Sequence, residues 1–404
     1  MAELTAEQLM TGAPPFPDDR LVTLANWQDP PFNRWGFQHI RDLMPTARIR
    51  RGDGPTWTLP RAERDLSRAR LPFGDRSVDL ETLLEETYTD GFLVLHRGVV
   101  VHEQYRNAMT PDTTHLLMSV SKSVTSAVCG TLAAAGRLSP DDLVTLHIPE
   151  LAGTSWDGCT VRHLLDMRAG TRFNEDYADL RADVRIYEQI YLWRPRVDAD
   201  LPASITDYYP TLQNQGPHGG PFDYRSILTD MLAWVMERAA GDRLSNLISK
   251  LLWQPMGAEF DAEITVDAEG NPMADGGICT TLRDLARFGQ LLANRGRRDG
   301  APVIPESWID DTLTPASDSV EAFLASEPDA EQVERGSYYR NQFWVFDHRA
   351  PIYRGSGING QHVLVHGPAE VVIAKFSTWP VAWSEDIAVP TRQAMIGLAE
   401  SLAG

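Results

Sequence analysis

Ser119 and Lys122 stand three residues apart, the pairing in this 404-residue chain best suited to covalent chemistry. They lie in His115-Leu-Leu-Met-Ser119-Val-Ser-Lys122, followed by a run to Gly136 in which Val120, Val124, Val128 and Leu132 recur every four residues. That period predicts a helix with one buried stripe, ended by Gly136 with Pro140 close behind. Residues three apart on a helix share a face, with Cβ atoms roughly 5–6 Å from each other, so a hydroxyl can hand its proton to an amine. The free N–H groups at the helix start favour a developing oxyanion. A serine with its own lysine base is therefore expected.

The lysine count makes the pairing informative. The 37 basic residues divide into 34 Arg and 3 Lys, namely Lys122, Lys250 and Lys375. With serine at roughly one residue in twenty, about 0.15 chance pairings would arise, and this one is present. Arg cannot give up its proton whereas a desolvated Lys can, so a base position in an Arg-rich chain must keep Lys. The bland alternative, a solvated lysine beside an N-cap serine, explains the scarcity less well.

Other chemistries find little footing. Gly355-Ser356-Gly357 is preceded by Arg354, where a nucleophile elbow needs glycine two residues before the serine. His362 and His366 are four apart in a predicted strand, which suits hydrogen-bonded sheet residues better than zinc ligands. No Gly-x-Gly-x-x-Gly leads from strand to helix, and Cys129 falls on the interior side of its helix. No metal or organic cofactor is called for. Three cysteines make no disulfide framework. A net charge of −19 argues against a general nucleic-acid binder and leaves room for a site that receives cations. There is no apolar run of membrane-spanning length and no signal-peptide pattern at the N-terminus, so a cytoplasmic enzyme without a membrane partner is the expectation.

The elements that must position the pair come in two groups. Phe92–Leu95 with Val99–Val101, and Gln361–His366 with Val371–Phe376, read as hairpins. Tyr338–Phe346 reads as a further strand and Pro390–Ala403 as a closing helix. The middle, roughly 120 to 295, is mostly helical, with apolar spacing over Asp230–Ala240 and Leu282–Asn294. Pro- and Gly-rich Trp193–Pro221 reads as a long loop, and acidic Pro315–Gly336 as an exposed excursion. The expected organisation is a flexible arm over 1–20, a discontinuous α/β domain over 21–150 and 280–404, and a helical domain over 151–279.

With these motifs in place, the chain resembles the serine β-lactamases and penicillin-recognising hydrolases. Ser119-x-x-Lys122 matches their first motif. Val161-Arg-His163-Leu-Leu-Asp-Met-Arg-Ala-Gly170 is similar to the approach to the second, and Gly276-Gly-Ile-Cys-Thr-Thr-Leu-Arg-Asp284 to the helix that returns to the sheet. A closer likeness, over most of the chain, is to the 6-aminohexanoate-dimer hydrolases, amidases of nylon oligomers within that superfamily. Trp27-Gln-Asp-Pro-Pro-Phe-Asn-Arg-Trp35, His115–Lys122, Asn174-Glu-Asp-Tyr177, Asp284-Leu-Ala-Arg287 and Gly357-Ile-Asn-Gly-Gln361 carry it. The resemblance implies a mixed α/β fold: an antiparallel sheet flanked by helices, plus an inserted all-helical domain.

It also implies roles. Tyr224, in Tyr224-Arg225-Ser226, would relay a proton to the leaving amine. Tyr177 would face the substrate from a loop. The family's Lys-Thr-Gly is replaced by Gly355-Ser-Gly-Ile358-Asn359, so the backbone N–H of Ile358 would join that of Ser119 in an oxyanion hole, with Asn359 near the substrate. The missing lysine counts against antibiotic hydrolysis. Glu188 and Asp275 match places where nylon-oligomer enzymes hold a substrate ammonium; solvated carboxylates are the even alternative. The expected partner is a small amide or ester, with a homodimer left open. The rival readings are a carboxylesterase with little amidase activity and a non-catalytic acyl-binding protein on the same fold.

Overall fold

The apolar runs pair as one seven-stranded antiparallel sheet in the computed structural model, which describes residues 4–403. Its order is Tyr338–Arg340, Phe343–Asp347, Ile352–Gly357, Gln361–His366, Val371–Ser377, Thr89–His96 and Val99–Tyr105. Early and late strands thus share the sheet, joined where Leu93 pairs with Ala374. Both faces are covered. Leu93 and Leu95 point into the larger core with the helix Leu282–Ala293, while Phe92 and Val94 join Leu80, Leu83 and the closing helix on the other side. That is the period-2 alternation of a strand with a core on each face. Gly289 lets the helix lie close to the sheet, since a Cβ there would stand 2.5 Å from a Val372 methyl.

Three expectations change in instructive ways. Tyr338–Phe346 is a tight hairpin and not one strand, because Asn341 and Gln342 both take positive φ, 48° and 63°. Two such residues in succession make the turn that matches strand twist, and glutamine is not a residue that announces it. The closing helix runs Glu385–Leu402, five residues earlier than expected, and takes Pro390 inside. The lost backbone bond falls near the helix start, while Ala394, Met395, Leu398 and Leu402 are buried beyond it. The acidic excursion folds into two short helices, Ser319–Leu324 and Ala330–Arg335, with Phe323 buried and Asp329 paired to Arg392 at 2.8 Å.

The span 151–279 is helical as far as Met256 but ends in strands. Ala262–Thr265 and Ile278–Thr280 join Thr46–Ile49 and His115–Leu116 in a second antiparallel sheet. These four strands are too short to show a clear period. Within the N-terminal segment Leu9 is buried against the core and Met10 N–H donates to Arg20 at 3.0 Å. Cys129, Cys159 and Cys279 are free and buried. No helix among the described residues is long and apolar enough to cross a membrane.

Candidate active site

The small sheet delivers the nucleophile. The chain leaves the strand His115–Leu116, Leu117 N–H bonds Ile278 O at 2.8 Å, and Met118 turns through a positive φ of 46°. Ser119 follows at the cap of the helix Val120–Ala134, yet its hydroxyl makes no capping bond. A strained residue beside a hydroxyl left out of the helix cap marks a site held by its surroundings.

That hydroxyl meets Lys122 at 2.9 Å. Lys122 is fully buried, and its Nζ also donates to Ser226 Oγ at 3.0 Å, to Asp275 O at 3.1 Å and to Asp275 Oδ2 at 3.3 Å. Burial pulls the lysine pKa down, but Tyr224, Asp275 and Glu175 outweigh it and the net direction is up. The resting amine is therefore an ammonium. Tyr224 stacks on Trp344 with ring centroids 5.5 Å apart, and Lys122 Nζ lies 5.0 Å from the centre of its ring. Burial raises the Tyr224 pKa, while its contacts with Ser119 and Lys122 pull the other way. The structure thus brings Ser119, Lys122 and Tyr224 together.

Two residues complete this cluster that spacing alone does not single out. Glu175 accepts from both the N–H and the hydroxyl of Ser226, the latter at 2.7 Å, and from Tyr177 OH at 3.0 Å. Burial pushes its carboxyl pKa up against the pull of Lys122. Both lie in motif stretches, Asn174–Tyr177 and Tyr224–Ser226, and the signal in the sequence that points to them is their place beside Tyr177 and Tyr224.

Cavities open on both sides of Ser119, and Ser119, Tyr177 and Ile358 line both. The smaller, of about 20 Å³, has room for about one water and carries Asp275 and Glu188 on its wall. Neither carboxylate is idle. Asp275 Oδ1 accepts from Tyr187 OH at 2.6 Å in addition to the Lys122 contact, and Glu188 Oε2 accepts from Arg185 at 2.7 Å and Arg194 at 2.6 Å. Arg194 also bonds Gln28, and Trp27 Nε1 bonds Trp193 O at 2.7 Å, so the Trp27–Trp35 segment props this wall.

The larger cavity, of about 380 Å³, is lined by Tyr224, Trp344, Arg354, Ser356, His362 and Trp379 among others. The early start of the closing helix puts Ala388 and Val389 on its wall beside Arg392, and Asp329 and Gln332 come from the acidic segment. At its floor Gly357 lies against the nucleophile; a Cβ there would stand 3.0 Å from Ser119 N and 2.8 Å from Leu117 O. This close approach sets the next residue, Ile358, beside Ser119. Asn359 is turned differently from the expectation of a substrate contact. It takes a φ of 56°, and its amide donates to Trp379 O at 2.9 Å and Val381 O at 3.2 Å. It pins the turn that presents Ile358.

A metal has one candidate grouping among the described residues. Cys159, His163 and His218 bring ligand atoms within 4.8 Å of one another. Nδ1 of His163 and of His218 accepts from the N–H of Thr160 at 3.1 Å and of Gly170 at 2.9 Å. The proton of each neutral ring then sits on Nε2, which makes it a donor and not a ligand.

Comparison with known proteins agrees with this geometry. Residues 81–392 match the family model described as beta-lactamase. The chain is 40% identical over 361 residues to the 6-aminohexanoate-dimer hydrolase of Paenarthrobacter ureafaciens, covering 89% of this chain and 88% of that one. Among solved structures it superimposes on the "Putative 6-aminohexanoate-dimer hydrolase from Bacillus anthracis" with a TM-score of 0.84 and 26% identity, covering 96% and 98% of the two chains. The octameric penicillin-binding protein homologue of Pyrococcus abyssi shares the fold at a TM-score of 0.60 and 16% identity, over 80% of this chain and 76% of that one. The chain belongs to the beta-lactamase family and is a serine hydrolase.

Proposed function

We propose that this enzyme hydrolyses the amide bonds of linear ω-amino acid oligomers, with the 6-aminohexanoate dimer as type substrate. The observation that carries the reading is a serine hydroxyl 2.9 Å from a buried lysine, placed between two cavities. The leaving-group half of a linear chain can lie in the larger cavity with the scissile carbonyl at Ser119. Its relatives in Paenarthrobacter ureafaciens and Bacillus anthracis carry that substrate in their names.

Ser119 Oγ attacks the amide carbonyl as its proton passes to Lys122, which must first be in the amine form. The oxyanion is held by the N–H groups of Ser119 and Ile358. Tyr224 carries a proton from Lys122 to the amide nitrogen, the C–N bond breaks, and the amine product leaves. Tyr177, anchored by Glu175, contacts the amide in this reading. Water then adds to the acyl ester by the same route and frees the acid. A leaving amine must be protonated, and the proton that Lys122 takes from Ser119 reaches it through Tyr224, a relay that suits an amide substrate.

The test is intact-mass detection of an acyl adduct during hydrolysis of the dimer and of p-nitrophenyl hexanoate. A transient adduct on the wild type, absent in Ser119→Ala, is expected with both. An adduct that persists in Ser119→Ala would overturn the mechanism. Hydrolysis of the ester alone would make the protein a carboxylesterase.

A further inference from the structure

We propose that the larger cavity holds a carboxylate-binding subsite, with Arg354 as its cation and His362 Nε2 as a second donor, which seats the free carboxylate of the leaving-group half of the substrate. This rests on the reading of the enzyme as a hydrolase of linear ω-amino acid amides, and it names the part of the substrate that the cavity recognises.

The argument begins with unmatched hydrogen-bonding groups. Arg354 lines the cavity, and its Nη1 is buried with no partner. His362 Nδ1 lies 3.2 Å from Ser356 Oγ, and its Nε2 is likewise buried without a partner. Burial, reinforced by the nearby guanidinium of Arg392, pushes the Arg354 pKa down, with Asp329 opposing. The local acids are engaged by Arg392, Asp329 at 2.8 Å and Glu331 at 3.4 Å, and neither makes an ion pair with Arg354. A buried guanidinium without an anion is expensive, and one with a bidentate carboxylate is not. Burial and Arg354 also push the His362 pKa well down, so its ring is neutral. In the tautomer in which Nδ1 accepts from Ser356, Nε2–H is the donor left over.

Placement agrees with the chemistry. Arg354 and Ser356 lie on one face of the strand Ile352–Gly357, and Arg354 is four residues, roughly 13 Å of extended chain, from Ile358 at the oxyanion end. The amine half of a 6-aminohexanoate dimer runs six bonds from amide nitrogen to carboxyl carbon, about 7–8 Å when extended. The Arg354 side chain covers the remainder. The indoles of Trp344 and Trp379 give the methylenes apolar walls between the two polar ends.

The test compares 6-aminohexanoyl-6-aminohexanoate with its terminal carboxamide, through the ratio of the two kcat/KM values. The wild type is expected to prefer the carboxylate by about tenfold or more. Arg354→Gln should bring the ratio near one, chiefly through KM, and Arg354→Lys should keep part of it. In parallel, hexanoate is tested as an inhibitor of p-nitrophenyl acetate hydrolysis, where its inhibition constant should rise about tenfold in Arg354→Gln. No carboxylate preference in the wild type, an undiminished preference in Arg354→Gln, or unaltered hexanoate inhibition would each overturn the subsite. The inhibition assay does not depend on amide cleavage. An enzyme inert towards the dimer but with Arg354-dependent hexanoate inhibition would contradict the amidase reading and leave the subsite standing.

Discussion

The two cavities beside Ser119 invert what the charges written in the sequence suggest. On the small side stand two carboxylates, Asp275 and Glu188, each already engaged by Lys122 and Tyr187 or by Arg185 and Arg194. On the large side stand two guanidiniums: Arg392, held by Asp329 and Glu331, and Arg354, with no ion-pair partner among the described residues and a buried Nη1 unmatched. An acidic protein thus keeps its uncommitted recognition charge at a cation. A charge is available to a ligand only when the fold has not already used it.

The strongest way to probe this contrast is at the residue both sides share. Ser119→Ala should lower kcat/KM by about 10⁴-fold or more on carboxylate and carboxamide substrates alike. A loss restricted to one of them would mean that the cavities do not feed one nucleophile. Next comes Lys122, which ties the small side's Asp275 to the chemistry. Lys122→Met and Lys122→Arg should each cost about 10²–10³-fold, with Arg unable to act as base. Because its neighbours raise the lysine pKa, the amine form grows as pH rises, so the wild-type kcat/KM should climb with pH across the alkaline range. A profile flat from pH 7 to 10 would remove Lys122 from the base role.

The oxyanion turn sharpens the comparison at lower amplitude. Asn359→Ala deletes the two bonds to Trp379 O and Val381 O and strains a left-handed residue. It should reduce kcat about tenfold with KM little altered, as expected for a positioning residue. The smallest kinetic effect is expected on the closed side. Glu188→Gln should change the ratio between ammonium-bearing and neutral acyl chains by less than about threefold, while costing roughly 3 kcal/mol of stability in a denaturant titration. A tenfold loss of ammonium preference would show that Glu188 can leave its arginines for substrate, and the contrast between the two sides would fail.

Legibility followed distance along the chain. The helix stripe placed Ser119 and Lys122 on one face, and period-2 runs placed both main hairpins, because each depends on neighbours a few residues away. Tyr338–Phe346 shows the limit: its apolar run was readable, but a turn at Asn341 and Gln342 is stabilised by distant groups, including Gln342 Nε2 on Leu164 O at 2.8 Å. The short strands Ala262–Thr265 and Ile278–Thr280 exist through partners from residues 46–49 and 115–116. Asn359 was expected beside the substrate from its motif, while its use as a brace on Trp379 was invisible there.

From sequence alone came the nucleophile and its lysine, the antiparallel sheet shared by both ends of the chain, and the family likeness. The pair and the hairpins of the sheet rest on local spacing, which a helix or strand converts directly into a shared face, and the likeness rests on short motifs. Only the tertiary structure decided that Ser226 and Glu175 brace Lys122, that Glu188 is bound by two arginines, and that Arg354 is bound by none. Each of these depends on burial and on partners far apart in the chain. A charge in low dielectric takes its meaning from its neighbours, and folding chooses those neighbours.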